Sequence, residues 1–346
     1  MSDERQATHY SSLITHHEDF GDRMTMDLQT TVFEAIARRF QEVFGDRLQQ
    51  DVPMARYTSA RIGGPADMLV MVNNAAELQM AVELAYSQSV PYFVLGSGSN
   101  ILVADAGIRG LVIFNRARGI RFRHSGLGVI CAAESGVNLS SLARQCVSKG
   151  LGGLEWAVSV PGSVGGAVVG NSGAHGGDMN GALLAATIWE PGRGVRIYRN
   201  EEMAYGYRDS TLKQEQSRPE ARRVVLAAEL ALKEEPVEVL SARAEAFVAH
   251  RKQTQPTGAS VGSMFKNPAH YYAGYLIDAA GLKGLQIGGA RISEKHANFF
   301  INESNATAEN VRLLIAEAWH TVRDKFGVEM ELEVEWVGDW DFDEHG

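Results

Sequence analysis

Several side chains in this 346-residue sequence are of types, and at spacings, that could do chemistry. Between two β-like runs stands Tyr205-Gly206-Tyr207-Arg208-Asp209-Ser210-Thr211, which sets Tyr207 and Arg208 among small polar residues. A turn arginine is commonly just solvated. One flanked in this way is a better candidate for gripping a carboxylate or phosphate, because a planar guanidinium offers two parallel N–H donors. Downstream, residues 257–268 (TGASVGSMFKNP) bring Ser263, Lys266 and Asn267 together in one loop. Residues 328–338 (VEMELEVEWVG) alternate as one strand, with Glu329, Glu331, Glu333 and Glu335 on a single face. Like charges along a strand face are usually solvated, and most of these four are expected to be.

A ligand for such groups would need a cradle. Ten of the 28 residues from 150 to 177 are glycine, where the chain average would give about three. Glycine permits positive φ and lets backbone N–H groups approach a ligand closely. The stretch reads either as the wall of a cofactor site or as tight turns between short strands. A second glycine cluster, Gly96-Ser97-Gly98-Ser99-Asn100, follows a strand. It is not a dinucleotide fingerprint, since Ile101 stands where the third glycine belongs and the next residues read strand–turn–strand. Either a hairpin turn or a bare phosphate nest of N–H groups fits, and the Ser and Asn side chains add donors that a turn does not need.

The elements that must position these groups follow from periodicity. An amphipathic helix is predicted over 31–48, outside the first domain, and residues before about 28 read as a poorly ordered tail. A strand (68–72), a helix (75–88) and a strand (91–95) form a β-α-β unit. Short β runs at 128–133, 187–190, 195–198 and 224–232 surround a helix at 138–149, capped by Asn138 and ended by Gly150. Helices are predicted at 237–253 and 271–280, and a strand bearing His296 within 282–301. The clearest helix is 307–326, capped by Thr307 and ended by Gly327. The expected divisions are 1–28 (tail), 29–115, 116–232, 233–338 and 339–346 (tail).

Composition narrows the class. A net charge of −9 and no basic run argue against a nucleic-acid partner. Cys131 and Cys146 are the only cysteines, stand in no metal-binding spacing, and read as buried structural thiols of a reduced compartment. No metal site is expected. No apolar run reaches the ~18–20 residues of a membrane span. A cytoplasmic monomer, not bound to membrane, is the expectation.

Taken together, seven stretches resemble the UDP-N-acetylenolpyruvoylglucosamine reductase family. They are TSARIGGPAD (58–67), LGSGSNILVADAGIRGLVI (95–113), GLEWAVSVPGSVGGA (153–167), YRDS (207–210), GSMFKNP (262–268), AGYLIDAAGLKGLQIGGARISEKHANFFIN (273–302) and LEVEWVG (332–338), in the family's order. The resemblance implies an α+β fold of the vanillyl-alcohol-oxidase type: two subdomains holding FAD non-covalently and a C-terminal substrate domain. It is similar to the short form, since only 55 positions separate Arg208 from Ser263. Two rival readings stand beside it: a flavin oxidase of the same fold, many of which tether FAD through a histidine, and a nucleotide-sugar-binding protein without catalysis. The latter leaves Arg208, Ser263 and Glu333 unexplained as a set.

The implied reaction has NADPH reduce FAD and leave. The enolpyruvyl ether of UDP-N-acetylglucosamine then takes its place and accepts hydride at its terminal carbon. Charge on the resulting enediolate-like carboxylate requires stabilisation, and the adjacent carbon requires a proton. By resemblance, Arg208 stabilises charge, Ser263 donates the proton, and Glu333, in protonated form, hydrogen-bonds the carboxylate. This lifts Glu333 alone from the solvated face, leaving Glu329, Glu331 and Glu335 there. Tyr207, Lys266, Asn267, His296 and His175 are the implied substrate contacts, although a lone His296 is more often structural. The implied cofactor residues are Arg61, Gly96, Ser97, Gly98, Ser99, Asn100, Pro161, Gly162, Ser163, Val164, Gly165, Gly166, Asn171, Gly173 and Ala174. Departures from the family pattern are His175 where a tyrosine is common, and GSGSN where GGGSN is common.

Overall fold

The structure is a computed structural model, and it describes residues 33–126, 128–215 and 222–341. The expected tail at 1–28 lies outside the described residues. The chain divides into two compact units, Met1–Leu48 and Gln49–Gly346. In the first, a helix spans 33–44 and ends in the short turn Gly45–Arg47, with Phe40 and Phe44 stacked 6.2 Å apart.

The second unit is built around three sheets. The first contains Pro65–Val72, Ile108–Asn115 and Tyr92–Leu95 in that spatial order, all parallel. The two strands of the expected β-α-β unit are therefore not neighbours, because Ile108–Asn115 lies between them. The helix Ala75–Ser87 makes the crossover. Asn74 caps it by accepting from the Glu77 amide, and Leu78, Ala81, Val82 and Ala85 are buried.

The second sheet is antiparallel and runs Gly194–Arg199, Leu183–Glu190, Val224–Glu234, Gly128–Glu134, Ile120–Ser125. The helix Leu139–Ser148 turns Leu142, Ala143, Cys146 and Val147 into the core, and Asn138 caps it as expected. Cys131 and Cys146 are both buried and free.

The third sheet is also antiparallel, in the order Ala259–Ser263, Phe299–Asn302, Ala290–Ile292, Gln286–Ile287. Packed on it is the long helix Ala308–Phe326, capped by Thr307 and ended by Gly327 at φ 65°. Two expectations fail here. His296 lies in the turn before Phe299–Asn302 and not on a strand, because Ser293 Oγ takes the amides of Lys295 and His296 and curls the backbone. And residues 328–338 are not one strand. Only Glu335–Val337 is, paired in parallel with Ile101–Val103, while Leu332 makes a single bridge to Phe265. The segment bends because it serves two partners in turn: Glu333 N bonds to Met264 O and Glu335 N to Asn100 O.

One buried side chain fixes the end of the Ala259–Ser263 strand. Asn298 Oδ1 accepts from Phe265 N at 2.9 Å and its Nδ2 donates to Phe265 O at 2.8 Å. Asn298→Ala would leave both backbone groups buried and unpaired, a loss of about 2–4 kcal/mol that urea unfolding would measure.

Candidate active site

The glycine-rich stretch of residues 150–177 is neither simply a wall nor simply turns. It contains a helix, Val164–Gly170, with Ser163 as cap. Its glycines permit packing as well as ligand approach: a Cβ on Gly165 would lie 2.9 Å from Ser135 Cβ. Gly96, Ser97, Gly98, Ser99 and Asn100 face this helix across a cleft of about 320 Å³. Pro161, Gly162, Ser163, Gly165, Gly166, Gly173 and Ala174 line the other side. At one point the two sides touch, where a Cβ on Gly96 would meet Ser163 Oγ at 2.3 Å. Gly98 sits at φ 60°, with the Tyr57 carbonyl 2.2 Å from where its Cβ would be. Among the described residues, the amides of Ser97, Gly98, Ser99 and Asn100 donate to no other residue. Such a run of free N–H groups is the donor set of an anion nest.

The Asn100 side chain has another use. Its Nδ2 donates to Glu333 O at 3.0 Å, and the Asn100 backbone carbonyl accepts from Glu335 N at 3.0 Å. The nest thus holds the end of the chain, and Glu333 and Glu335 both line the cleft.

Arg208 enters from a turn closed by Gly206 and Asp209, with a left-handed φ of 55°. A non-glycine residue in that region costs roughly 1 kcal/mol or more, so neighbouring contacts must hold it there. Tyr205 Oη donates to Val168 O at 2.9 Å, Ser210 Oγ to Val169 O at 2.5 Å, and Asn171 Nδ2 to Gly206 O at 2.8 Å. All three strap the turn to the glycine helix or the residue that ends it. Arg208 Nε then lies 3.1 Å from Glu333 Oε1, without the angle of a hydrogen bond. Ser263, at the end of its strand and paired in register with Phe299, lines the same cleft.

Burial pushes the Glu333 carboxyl above the usual carboxylate range, and Arg208, Lys213 and Lys266 only partly offset it. Glu335 is raised for the same reason, against the pull of Arg222 and Lys213. Its expected place on a solvated face is therefore corrected: the bend before Glu335 turns it into the cleft.

Other expected residues stand elsewhere. Arg61 is exposed, at φ 56°. Val164 is in the core. Asn171 is buried and also accepts from the Asn180 amide. Tyr207 is exposed. Lys266 pairs with Glu331, and Asn267 accepts from the Ala273 amide. His296 Nδ1 accepts from Asn298 N, its ring meets Phe299 edge-on, and burial lowers its pKa. His175 stacks on Phe247 at 4.3 Å with His250 edge-on at 5.7 Å. Conversely, Lys213, Arg222, Arg251 and Gln255 line the cleft and were not anticipated. Gln255 Oε1 is buried with no hydrogen-bond partner. The signal available for Lys213 was its place in the turn of helix that Ser210 opens.

Comparison with known proteins decides the family. Residues 252–337 match the C-terminal domain of UDP-N-acetylenolpyruvoylglucosamine reductase, and residues 66–189 match an FAD binding domain. UDP-N-acetylenolpyruvoylglucosamine reductase 2 of Symbiobacterium thermophilum is 41% identical over 86% of this chain and 96% of its own length. The Bacillus subtilis reductase is 38% identical over 88% and 99%. The chain belongs to the UDP-N-acetylenolpyruvoylglucosamine reductase family. The crystal structure of the Thermus caldophilus reductase superposes with a TM-score of 0.71 at 36% identity, covering 84% of this chain and 99% of that one. The fold is the FAD-binding architecture that the resemblance implied, and the chain is an FAD-dependent oxidoreductase.

The cleft fits FAD. Four free amides and the Ser163 cap suit a pyrophosphate, the close approach of Gly96 to Ser163 makes a narrow slot, and the orphaned Gln255 Oε1 offers an acceptor. Gly96→Ala closes that slot. It is expected to lower FAD affinity at least ~100-fold, about 2.7 kcal/mol, with little change in the circular dichroism spectrum, as measured by flavin fluorescence titration.

Proposed function

We propose that this protein reduces the enolpyruvyl ether of UDP-N-acetylglucosamine to UDP-N-acetylmuramate, a step of peptidoglycan precursor synthesis, with NADPH as hydride source. One observation carries the reading: Arg208, Ser263 and Glu333, from three separate segments, line one cleft with the glycine nest. Bound FAD would supply the carrier that accepts hydride from NADPH and delivers it to the enolpyruvyl carbon. The protein's own groups then handle charge and proton. Arg208 binds the substrate carboxylate and stabilises the negative charge that grows there, in a half-buried site where such an interaction is stronger than in water. Glu333, whose carboxyl burial favours in the protonated form, donates a hydrogen bond to the same carboxylate instead of repelling it. Ser263 gives its proton to the carbon next to the one that receives hydride. A serine hydroxyl is a weak acid, so the adjacent cationic field of Arg208, Lys213 and Lys266 matters to this step.

FAD is held without a covalent tether, a reading supported by the position of His175, whose ring is occupied by Phe247. The free, buried thiols of Cys131 and Cys146 suit a reducing cytoplasm. Among the described residues no helix is long and apolar enough to cross a membrane.

The test is spectroscopic. Flavin absorbance should fall on adding NADPH and return on adding the enolpyruvyl substrate under nitrogen. In Ser263→Ala the fall should be unchanged, and the return should slow by roughly 10²-fold or more, the loss typical of a missing acid. A return as fast as in the parent would remove Ser263 from the proton-donating role. No return in the parent would remove the proposed substrate.

A further inference from the structure

Lys213 belongs to neither the nest nor the catalytic trio, yet it lines the cleft. It sits in the short helix Thr211–Gln214, whose cap Ser210 is fully buried and accepts from Lys213 N at 3.1 Å. Its Nζ donates to the carbonyl of Arg208 at 3.0 Å. Among the described residues, the ammonium has no carboxylate at ion-pair distance. One of its three N–H donors is used on Arg208, and the others remain for the cleft.

We propose that Lys213 is a positioning residue of this site, holding the strained Arg208 backbone and setting a positive charge in the cleft that Glu333 and Glu335 also line. Two observations converge on this. The first is steric: φ of 55° at Arg208 needs an external hold, and among the described residues Lys213 is the side chain that donates to the Arg208 carbonyl. The second is electrostatic. The groups that act on Lys213 are Glu333, Glu335 and Asp209, which favour its charge, and Lys266 and burial, which oppose it. In return, Lys213 favours the ionised form of both Glu333 and Glu335, alongside Arg208 and Lys266 at Glu333 and Arg222 at Glu335. A buried cation without an ion-pair partner of its own is a cost in a protein that does not use it.

The sign of its effect follows from linkage. Burial raises both carboxyl groups, so the folded protein holds protons that the unfolded chain releases. Stability contributed by these groups therefore falls as pH rises from the unfolded carboxyl range through the folded values. Removing the Lys213 charge raises the folded values further and deepens that loss.

The experiment compares the FAD-loaded parent with Lys213→Met and Lys213→Arg. Relative to the parent, Lys213→Met should lose several degrees more of Tm near pH 8 than near pH 5, and Lys213→Arg, which keeps the charge, should show no such slope. This readout does not depend on the substrate. The kinetic readout rests on the function proposed above and reports the hold on the Arg208 turn, not the Glu333 proton, which loss of the Lys213 charge favours: reoxidation by the enolpyruvyl substrate should slow roughly tenfold or more in Lys213→Met and recover to within about threefold in Lys213→Arg, while reduction by NADPH changes less than about threefold. A Tm offset that is equal in both variants and flat with pH would overturn the proposal, leaving Lys213 as packing alone. A parent inert toward this substrate, with the pH slope still present, would reject the proposed substrate and keep the electrostatic role of Lys213.

Discussion

The site depends on one residue that does no chemistry. Asn100 gives its side-chain amide to the carbonyl of Glu333 and accepts the amide of Glu335 on its own carbonyl. Because the same residue closes the nest, the distance between the cofactor cradle and the terminal carboxyl groups is set by two hydrogen bonds. The parallel pairing of Ile101–Val103 with Glu335–Val337 extends the clamp by three residues. Segments more than 230 positions apart in the sequence are thereby fixed to one another. On the other side, Glu333 N on Met264 O ties the terminal segment to the residue following Ser263. Ser263 and Glu333, two of the three residues proposed to carry the chemistry, are thus tied to one hydrogen-bonded framework that includes the nest.

The third group is held by a different framework. Arg208 hangs from the glycine helix through Tyr205, Ser210 and Asn171. The glycines of this helix therefore serve packing as much as ligand approach. Gly165 lets the helix lie against Ser135, and Gly165 N donates to Ser135 O at 2.8 Å. A helix with a side chain there would stand off from the sheet and carry the arginine turn with it. Glycine weakens a helix by up to ~1 kcal/mol per residue relative to alanine. Here tertiary contacts on both faces of Val164–Gly170 override that preference.

What could be read from the sequence divides along this line. Signals confined to a few neighbouring residues were legible: the caps Asn138 and Thr307, the stop at Gly327, the absence of a helix after Asn100. The resemblance also picked out Arg208, Ser263 and Glu333, and all three line one cleft. Features created by distant partners were not legible. The helix Val164–Gly170 is hidden by its glycines, whose propensity points the other way. The alternation of residues 328–338 suggests a single strand, but Met264 and Asn100 claim alternate amides and bend it, and Glu335 swings from the expected solvated face into the cleft. Ser293 likewise curls the chain at His296, where hydrophobic pattern alone suggests continuity. Lys213 was missed because its role is defined by the conformation of Arg208, and a left-handed arginine leaves no mark in composition or spacing.

The two frameworks meet across the cleft at Arg208 and Glu333. Their closest atoms are 3.1 Å apart, yet Arg208 Nε makes no hydrogen bond. A bidentate pair would commit two guanidinium donors and both carboxylate oxygens to each other. The observed contact does not. Arg208 keeps its guanidinium donors available, and Glu333, raised by burial, gains little by ionising for a single misaligned donor. On the proposed function, a substrate carboxylate placed between them would accept from the guanidinium on one side and from the Glu333 carboxyl, in the protonated form that burial favours, on the other. On that reading the incomplete ion pair suits the site to receiving an anion, with one partner held from the glycine helix and the other from Asn100 and Met264.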